Sequence, residues 1–403
     1  MKTKCSFYSK VIVLLLFFII QKSDSFAQIP QTIELDGNHL IAIKNAISAD
    51  LSVQYNDLIK KADKLLAENK VYSVMDKNQV PPSGDKHDYM SIGPYWWPDT
   101  TKANGLPYIR KDGQVNPEYH TITDTDYMDY MIDDAQILAL AYYFSEKDKY
   151  ASHAAKLLKT WFLDENTRQN PNLNFGQGIP GINTGRGIGI IESRNFTKAI
   201  DASILIKGSK FWSNNDDVLL KKWFSEYLNW LITSPIGIDE SDEHNNHGTY
   251  YDVQVIDYAL FVGNNSLAKS QIEISKKRLE TQLEKDGSQP HELARTASWN
   301  YANMNLLGFM TIARLAENLG VDLWSYQTEN EKSIKSALDW MIPYYTNEKK
   351  WSHQQIKKVE FDVASNILTF ASLRYKSDHY NQILQSLFFL RNGNSSDILL
   401  FVP

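Results

Sequence analysis

Cysteine is almost absent from this sequence. Cys5 is the only cysteine in 403 residues, and it lies close to the N-terminus. Disulfide frameworks and thiolate metal sites both need several cysteines, so neither is expected here. The chain is long enough to be stabilised by a hydrophobic core alone, because a domain of this size buries most of the apolar surface of its unfolded chain.

An excess of positive charge is also missing. The chain has 42 Lys and Arg residues against 48 Asp and Glu residues, which gives a formal net charge of −6. Nucleic-acid-binding domains that use a broad basic face carry the opposite balance, so we expect no nucleic-acid partner. An acidic polymer can still bind where a few basic residues converge in one cleft.

Long apolar runs are scarce, and the one clear run lies at the N-terminus. Three lysines precede an apolar segment over residues 11–20, and small residues follow it before Gln28. This order is that of a secretory signal, and the apolar segment is too short to span a membrane. We therefore predict a signal peptide over residues 1–27 and export to the periplasm or out of the cell. A lipid-anchoring cysteine would follow the apolar segment, whereas Cys5 precedes it, so no membrane anchor is expected.

Most of the remaining sequence has the periodicity of amphipathic helices, and few alternating runs favour strands. No repeat of fixed period is present, so a solenoid of the tetratricopeptide type is not expected. No linker rich in Pro, Gly or Ser divides the chain, so residues 28–403 are predicted to form a single catalytic domain. Helical stretches are predicted over residues 36–67, 126–144, 147–162, 191–207, 216–233, 249–262, 266–283, 298–319, 329–344, 359–374 and 381–390.

Two long stretches do not follow the helical pattern. Residues 71–125 are rich in Pro, Gly, Asp, Tyr and Trp, and residues 166–189 are rich in Asn, Gly and Pro. Long irregular segments inside a compact domain are usually functional or disordered, and the aromatic content of the first one argues against disorder. Paired helices with ordered loops on one rim predict an all-α fold of the (α/α) toroid type. Such a fold is an incomplete barrel of helical hairpins with long aromatic loops over a central cleft.

The densest group of polar side chains is the segment EHNNHGTYYD, residues 243–252, at a predicted loop-to-helix junction. Capping of the helix explains one asparagine but not the whole set of Asn and His residues. Asn246 and His247 are therefore candidates for catalysis. As an alternative, His244 and His247 share one helical face as metal ligands, but no third ligand is evident, so no metal is predicted.

A second junction has the sequence PHELARTASWNY, residues 290–301. Arg295 and Tyr301 are close enough in sequence to face one site across this junction. The alternative interpretation is a surface arginine and a tyrosine on the face of a helix. Arg186 and Arg194, which flank the end of the glycine-rich loop, can bind carboxylates through paired hydrogen bonds or form ion pairs with nearby acidic residues.

Residues 92–117, which we call the lid loop, contain three successive aromatic residues between prolines. These three side chains cannot all point into one core, so at least one should face a cleft or a neighbouring loop. Aromatic faces also pack against the C–H faces of sugar rings. The predicted substrate contacts are Arg194, Arg186, Asn195, Trp96, Trp97, Tyr95, Tyr250, Trp299 and His87.

Together these segments resemble the alginate lyase superfamily of polysaccharide lyases, and most closely polysaccharide lyase family 38, which is related to family 5. The similarity extends in order over most of the chain after the signal. The sequences GPYWWPD and GLPYIR in the lid loop are typical of the Bacteroidetes members, and Asn246-His247 resembles the Asn-His motif. Arg295 and Tyr301 resemble the catalytic arginine and tyrosine of family 5. The resemblance implies an (α/α) toroid that acts on alginate or a related polyuronate.

Cleavage of a polyuronate by β-elimination removes the C5 proton and expels the oxygen on C4. The C6 carboxylate must first be neutralised, because it becomes enolate-like when the proton leaves. Asn246 and Arg295 can donate hydrogen bonds to this developing charge. Arg194 and Arg186 are alternatives to Arg295 in that role.

The proton transfers are assigned to a tyrosine and a histidine. A tyrosine hydroxyl has a pKa of about 10 and can protonate a leaving alkoxide, so Tyr301 is the predicted acid. When the C5 proton and the C4 oxygen lie on one face of the ring, as in mannuronate, Tyr301 can also be the base. When they lie on opposite faces, His247 is the predicted base. No cofactor is needed for either route.

Three other interpretations stay open at this stage. Glucuronan and other polyuronates offer the same proton and leaving group as alginate. A non-catalytic glycan-binding protein would also suit aromatic loops on a helical scaffold. A glycoside hydrolase would need two carboxylates beside the scissile bond, and the candidates are Asp133, Asp134, Glu192, Asp242 and Glu243.

Overall fold

The computed structural model of the protein describes residues 29–48, 51–390 and 399. The predicted signal peptide lies outside this part of the chain. No helix among the described residues is long and apolar enough to cross a membrane. The helices are α1 (Gly37–Ala46), α2 (Ser52–Glu68), α3 (Asp124–Ser145), α4 (Asp148–Phe162), α5 (Phe196–Leu205), α6 (Asn214–Thr233), α7 (Pro235–Ser241), α8 (Asn246–Phe261), α9 (Asn265–Gln282), α10 (Pro290–Leu293), α11 (Ser298–Glu317), α12 (Ile334–Tyr345), α13 (Asp362–Arg374) and α14 (Asp378–Leu390).

The helices pack in two layers around a central cavity. Successive helices form hairpins, as in the pairs α3 with α4, α8 with α9 and α13 with α14. The inner members α3, α5, α8, α11 and α13 pack side by side, and all five contribute side chains to one cavity of about 690 Å³. This arrangement confirms the predicted (α/α) toroid.

The burial pattern of the helices follows from these two layers. The outer helix α4 buries Tyr150, Ala154, Leu158 and Trp161, which recur every three or four residues along one face. The inner helix α8 is covered on several sides and is buried along almost its whole length. Apolar side chains of both layers form one continuous core.

Several predicted helix boundaries were wrong. The single stretch predicted over residues 36–67 is divided into α1 and α2, and Asp36 caps the first of them with its side chain. The stretch predicted over residues 191–207 begins as the 3-10 helix Gly187–Asn195 and becomes α-helical only at α5. The side chains of Glu192 and Ser193 in this tighter segment are hydrogen-bonded to other elements, which the helical periodicity does not reveal.

Two short helices were missed, although each carries a recognisable sequence signal. Helices α7 and α10 both begin with a proline at their first position. Proline is favoured there because its fixed backbone angle suits the helix and its missing N–H group would have no partner. Helix α7 precedes the first junction and α10 opens the second, and each supplies a glutamate that contacts the first junction, at His247 and Asn246 respectively.

The two irregular stretches are ordered and contact each other. Strand β1 (Met90–Ile92) pairs in parallel with β4 (Phe175–Gly178), which joins the first stretch to the second. Within the lid loop, β2 (Trp96–Trp97) pairs antiparallel with β3 (Ile109–Arg110). After β3, the lid loop lies against the segment that connects α10 to α11, where Asp112 contacts Thr296.

Candidate active site

The first half of the candidate site is the N-terminus of α8. The side-chain oxygen of Asn245 caps this helix by accepting a hydrogen bond from the backbone N–H of His247 at 2.8 Å. The helix therefore begins at Asn246, before the boundary that periodicity predicted, and Asn246 and His247 lie in its first turn. The positive end of the helix dipole lies at this terminus, which favours an acidic ligand.

His247 is paired with a buried glutamate. Its Nδ1 atom lies 2.8 Å from Oε1 of Glu240, and the Glu240 side chain in α7 is 0% exposed. Burial raises the pKa of Glu240, and the neighbouring His247 opposes this rise. Because Glu240 holds Nδ1, the other ring nitrogen of His247, Nε2, is left for proton transfer. This carboxylate–imidazole pair fits the role of a base.

Asn246 is held by a second buried glutamate, Glu292 of α10. Oε1 of Glu292 accepts from the backbone N–H of Asn246 at 2.6 Å, and the Asn246 side-chain Nδ2 lies 2.9 Å from Oε2. Burial raises the pKa of Glu292 to about 6, although the hydrogen bonds from Asn246 lower it. The nearby Arg295 and His247 also lower the pKa of Glu292.

The second half of the site is a stacked pair at the start of α11. The guanidinium carbon of Arg295 lies 3.8 Å from the ring centre of Tyr301, which is within the range of a cation–π contact. Arg295 also forms an ion pair with Asp112 of the lid loop, with Nη2 at 2.9 Å from Oδ1. The two residues that the sequence placed on one site are therefore in direct contact.

The Tyr301 hydroxyl is covered by a second tyrosine. The hydroxyl oxygens of Tyr301 and Tyr95 lie 2.8 Å apart, which brings the lid loop onto the predicted acid. Burial raises the pKa of Tyr301 well above its usual range, the nearby Tyr95 raises it further, and Arg295 lowers it. A neutral hydroxyl next to a positive charge is suited to donate a proton to an alkoxide.

Arg186 is held beside the lid loop. Its Nη2 donates to the side-chain oxygen of Gln177 at 2.8 Å, and its Nε donates to the Gln177 backbone carbonyl at 3.1 Å. The guanidinium carbon lies 5.9 Å from the ring centre of Trp96. Gly93 makes this arrangement possible, since a Cβ atom there would lie 2.5 Å from Trp96 and 3.1 Å from Arg186.

Three other predicted substrate contacts line the central cavity. Arg194, Asn195 and Tyr250 all face this cavity, together with Asn300 and Met304. Tyr250 lies three residues after His247 on α8, and Met304 lies three residues after Tyr301 on α11. Residues three apart in a helix share a face, so Tyr250 and Met304 lie on the same faces of α8 and α11 as His247 and Tyr301.

The remaining predicted contacts lie elsewhere. Trp299 is only 2% exposed, and its indole N–H donates to the backbone carbonyl of Glu360. It packs in the core, and the prediction that it touches substrate was wrong, because its helix turns this face away from the cleft. His87 bonds the backbone carbonyl of Arg168 through Nδ1, and Trp97 donates to the carbonyl of Gln114.

Two of the carboxylates considered for hydrolysis are hydrogen-bonded to hydroxyl groups within the fold. Glu192 is buried and accepts hydrogen bonds from the hydroxyl groups of Ser91 and Tyr89 at 2.6 and 2.8 Å. Asp134 accepts from Tyr72. Within the described residues, no group of three or more His, Cys, Asp or Glu side chains is arranged to hold a metal ion.

Sequence reasoning missed three carboxylates that hold the site together. Glu240 and Glu292 lie within the helices that the proline signal would have revealed, close to the two junctions. Asp112 carries no local signal, because its partner Arg295 is 183 residues away in the sequence.

Comparisons with known proteins show the family of this chain. A sequence profile of the alginate lyase family matches residues 73–351. A crystal structure of an alginate lyase from Bacteroides ovatus superposes with a TM-score of 0.85 at 41% identity, covering 89% of this chain and 95% of that chain. No match was found among curated proteins.

A more distant similarity supports the fold alone. Alginate lyase A1-III from Sphingomonas species A1 matches with a TM-score of 0.57 at 18% identity, over 88% of this chain and 92% of that chain. A variant of A1-III complexed with a tetrasaccharide gives a TM-score of 0.58 at 17% identity. The family profile and the extensive similarity to the Bacteroides ovatus enzyme are decisive: this chain belongs to the alginate lyase family and is a polysaccharide lyase.

Proposed function

We propose that this enzyme cleaves alginate, a 1,4-linked polyuronate, by β-elimination, and that it accepts mannuronate blocks. The observation that carries the proposal is the stacking of Arg295 on Tyr301, 3.8 Å from the ring centre. This contact places a fixed positive charge beside the only proton donor that the reaction requires. The Bacteroides ovatus relative, which is named as an alginate lyase, supports alginate over other polyuronates as the polymer.

In the proposed reaction, the C6 carboxylate of a uronate binds between Asn246 and Arg295, and Asn246 turns a side-chain N–H from Glu292 to the substrate. Their hydrogen bonds and charge stabilise the enolate-like intermediate that forms when the C5 proton leaves. Tyr301 protonates the C4 oxygen as the glycosidic bond breaks, so the leaving oxygen becomes a hydroxyl group. For mannuronate Tyr301 must enter the reaction as the phenolate, whose charge Arg295 stabilises, so that it takes the C5 proton and returns the same proton to the C4 oxygen. For guluronate Tyr301 enters as the neutral phenol, and His247 takes the C5 proton through Nε2.

The acidic polymer is proposed to approach through the basic residues around the site. Arg186, next to Trp96, lies on the lid-loop side, and Arg194 lies in the central cavity. Arg194 donates to the backbone carbonyl of Ile191 at 3.0 Å. Its other guanidinium N–H groups are proposed to bind a second uronate carboxylate.

The test is a panel of polymannuronate, polyguluronate and glucuronan, with ultraviolet absorption of the new C4–C5 double bond as the readout. We expect the wild-type enzyme to release unsaturated ends from at least one alginate block and Tyr301→Phe to release them at least about a thousandfold more slowly. Near-wild-type activity of Tyr301→Phe would refute the role of Tyr301. Activity on glucuronan alone would show that glucuronan, and not alginate, is the substrate.

A further inference from the structure

We propose that Asp112 of the lid loop is a positioning residue that holds the Arg295 guanidinium flat on the ring of Tyr301. The inference rests on the proposed function, because it concerns the same elimination site. Asp112 itself touches neither of the reacting groups, and it would act only through Arg295.

The ion pair fixes the plane of the guanidinium. Oδ1 of Asp112 lies 2.9 Å from Nη2 of Arg295, and Oδ2 lies 3.3 Å from Nε. A two-point contact of this kind sets orientation as well as distance. It occupies one edge of the guanidinium and leaves Nη1, on the opposite side, for a substrate carboxylate. The Arg295 side chain is 17% exposed and that of Asp112 is 21% exposed, so water competes weakly for the pair.

Asp112 is itself held firmly against the start of α11. Its Oδ2 accepts from the hydroxyl of Thr296 at 2.9 Å and from the Thr296 backbone N–H at 3.3 Å. These bonds and Arg295 outweigh the effect of burial and lower the pKa of Asp112 to about 2. The carboxylate therefore stays ionised at any pH at which the enzyme is expected to work.

The next residue shows how closely the lid loop approaches. Gly113 has φ +73°, and a Cβ atom there would lie 2.6 Å from Oγ1 of Thr296 and 2.7 Å from Ile356. Only glycine fits this approach, since another residue would meet both a clash and a strained backbone. The lid loop therefore packs closely against the segment before α11 and so places the Asp112 carboxylate beside Arg295. In this proposal the position of the Arg295 guanidinium depends on that contact.

A general role in tethering the lid loop would look different from positioning of Arg295. The exposed Arg110 side chain also donates to Oδ1 of Asp112, at a distance of 2.8 Å. Loss of Asp112 therefore removes more than one contact. If Asp112 acts through Arg295, its removal has no further effect once Arg295 is gone. If it only tethers the loop, the two losses add. A double-mutant cycle separates the two cases.

The experiment uses the full-length enzyme, Asp112→Asn, Arg295→Met and the double variant, with Asp99→Asn as the matched control. Asp99 is another lid-loop carboxylate, which accepts a hydrogen bond from Thr101 and forms an ion pair with Lys102. We expect Asp112→Asn to lower kcat by about tenfold or more, with a much smaller change in KM. The double variant should match Arg295→Met within about twofold, whereas Asp99→Asn should leave kcat close to that of the wild type.

Each outcome decides the proposal. Additive losses in the double variant, or an unchanged kcat in Asp112→Asn, would overturn it. Binding of an alginate tetrasaccharide to the same four proteins, each also carrying Tyr301→Phe to prevent cleavage, gives a second cycle by calorimetry. A loss of affinity from Asp112→Asn that persists in full in the Arg295→Met background would overturn the proposal as well. If the wild type cleaves none of the polyuronates, the proposed function fails, while the binding cycle still tests Asp112.

Discussion

Nδ1 of His247 lies 2.8 Å from Oε1 of Glu240, and the glutamate that makes this contact is fully buried. A carboxylate in that position fixes the orientation of the imidazole and stabilises the ring when it takes up a proton. In the proposed mechanism, only the route in which His247 is the base depends on this pair.

Glu240→Gln should impair guluronate cleavage much more than mannuronate cleavage. We expect kcat/KM to fall by about a hundredfold on polyguluronate, because the histidine loses the charge that stabilises its protonated form. On polymannuronate, where Tyr301 carries both proton transfers, the fall should be below about fivefold. Initial rates on the two purified blocks measure the difference, with the neighbouring Glu243→Gln as control. Equal losses on both blocks would contradict the assignment of His247 as the base.

Glu292 should make the stability of the enzyme depend on pH. Its folded-state pKa of about 6 is above the ordinary value of 4.5, so the folded state binds more protons than the unfolded state between these pH values. Stability then falls as pH rises through this window, by about 2 kcal/mol from this group. Urea unfolding at pH 4.5 and pH 7 should show that Glu292→Gln removes this part of the fall. If the unfolding free energy of the variant falls as much between pH 4.5 and pH 7 as that of the wild type, groups other than Glu292 cause the fall.

Asp257 on α8 should destabilise the folded state. Both of its carboxylate oxygens are buried and have no hydrogen-bond partner among the residues that the structure describes. Burial raises the pKa of Asp257 well above the usual value, and Asp201 and Glu34 add to the rise. Replacement by leucine removes the cost of burying this group and should stabilise the protein by about 1–3 kcal/mol. The gain should be larger at pH 8 than at pH 5, since ionisation of the aspartate is disfavoured in the fold. A lower melting temperature for Asp257→Leu at pH 8 would mean that the carboxyl has a stabilising partner.

Arg194 should contribute to substrate affinity more than to turnover. We expect Arg194→Met to raise KM for polymeric alginate by about tenfold and to change kcat by less than about threefold, because the charge is proposed to bind a carboxylate away from the scissile bond. Lys198→Met is a suitable control, since Lys198 lines the same cavity but is paired with Asp133 at 3.3 Å. The same loss of affinity in both variants would indicate a general effect of charge and not a contact made by Arg194.

The sequence by itself determined the local features of this protein. Helical periodicity, which depends only on neighbouring residues, predicted most helices and hence the (α/α) toroid. The junctions around Asn246-His247 and around Arg295 and Tyr301 stood out because capping alone does not explain their polar residues. The 3-10 helix before α5 was not predicted, because the side chains of Glu192 and Ser193 form hydrogen bonds with elements that are distant in the sequence.

The partners of the predicted catalytic residues depend on the tertiary fold and are not visible in the sequence. Glu240, Glu292 and Asp112 are ordinary acidic residues in the sequence, and each becomes significant through one contact, with His247, Asn246 and Arg295 respectively. The tertiary structure also placed Trp299 in the core, although its position beside Tyr301 suggested a role in binding. The physical reason is the same in both cases: the folded chain sets the burial and the charge pairing of a side chain, and residues far away in the sequence provide them.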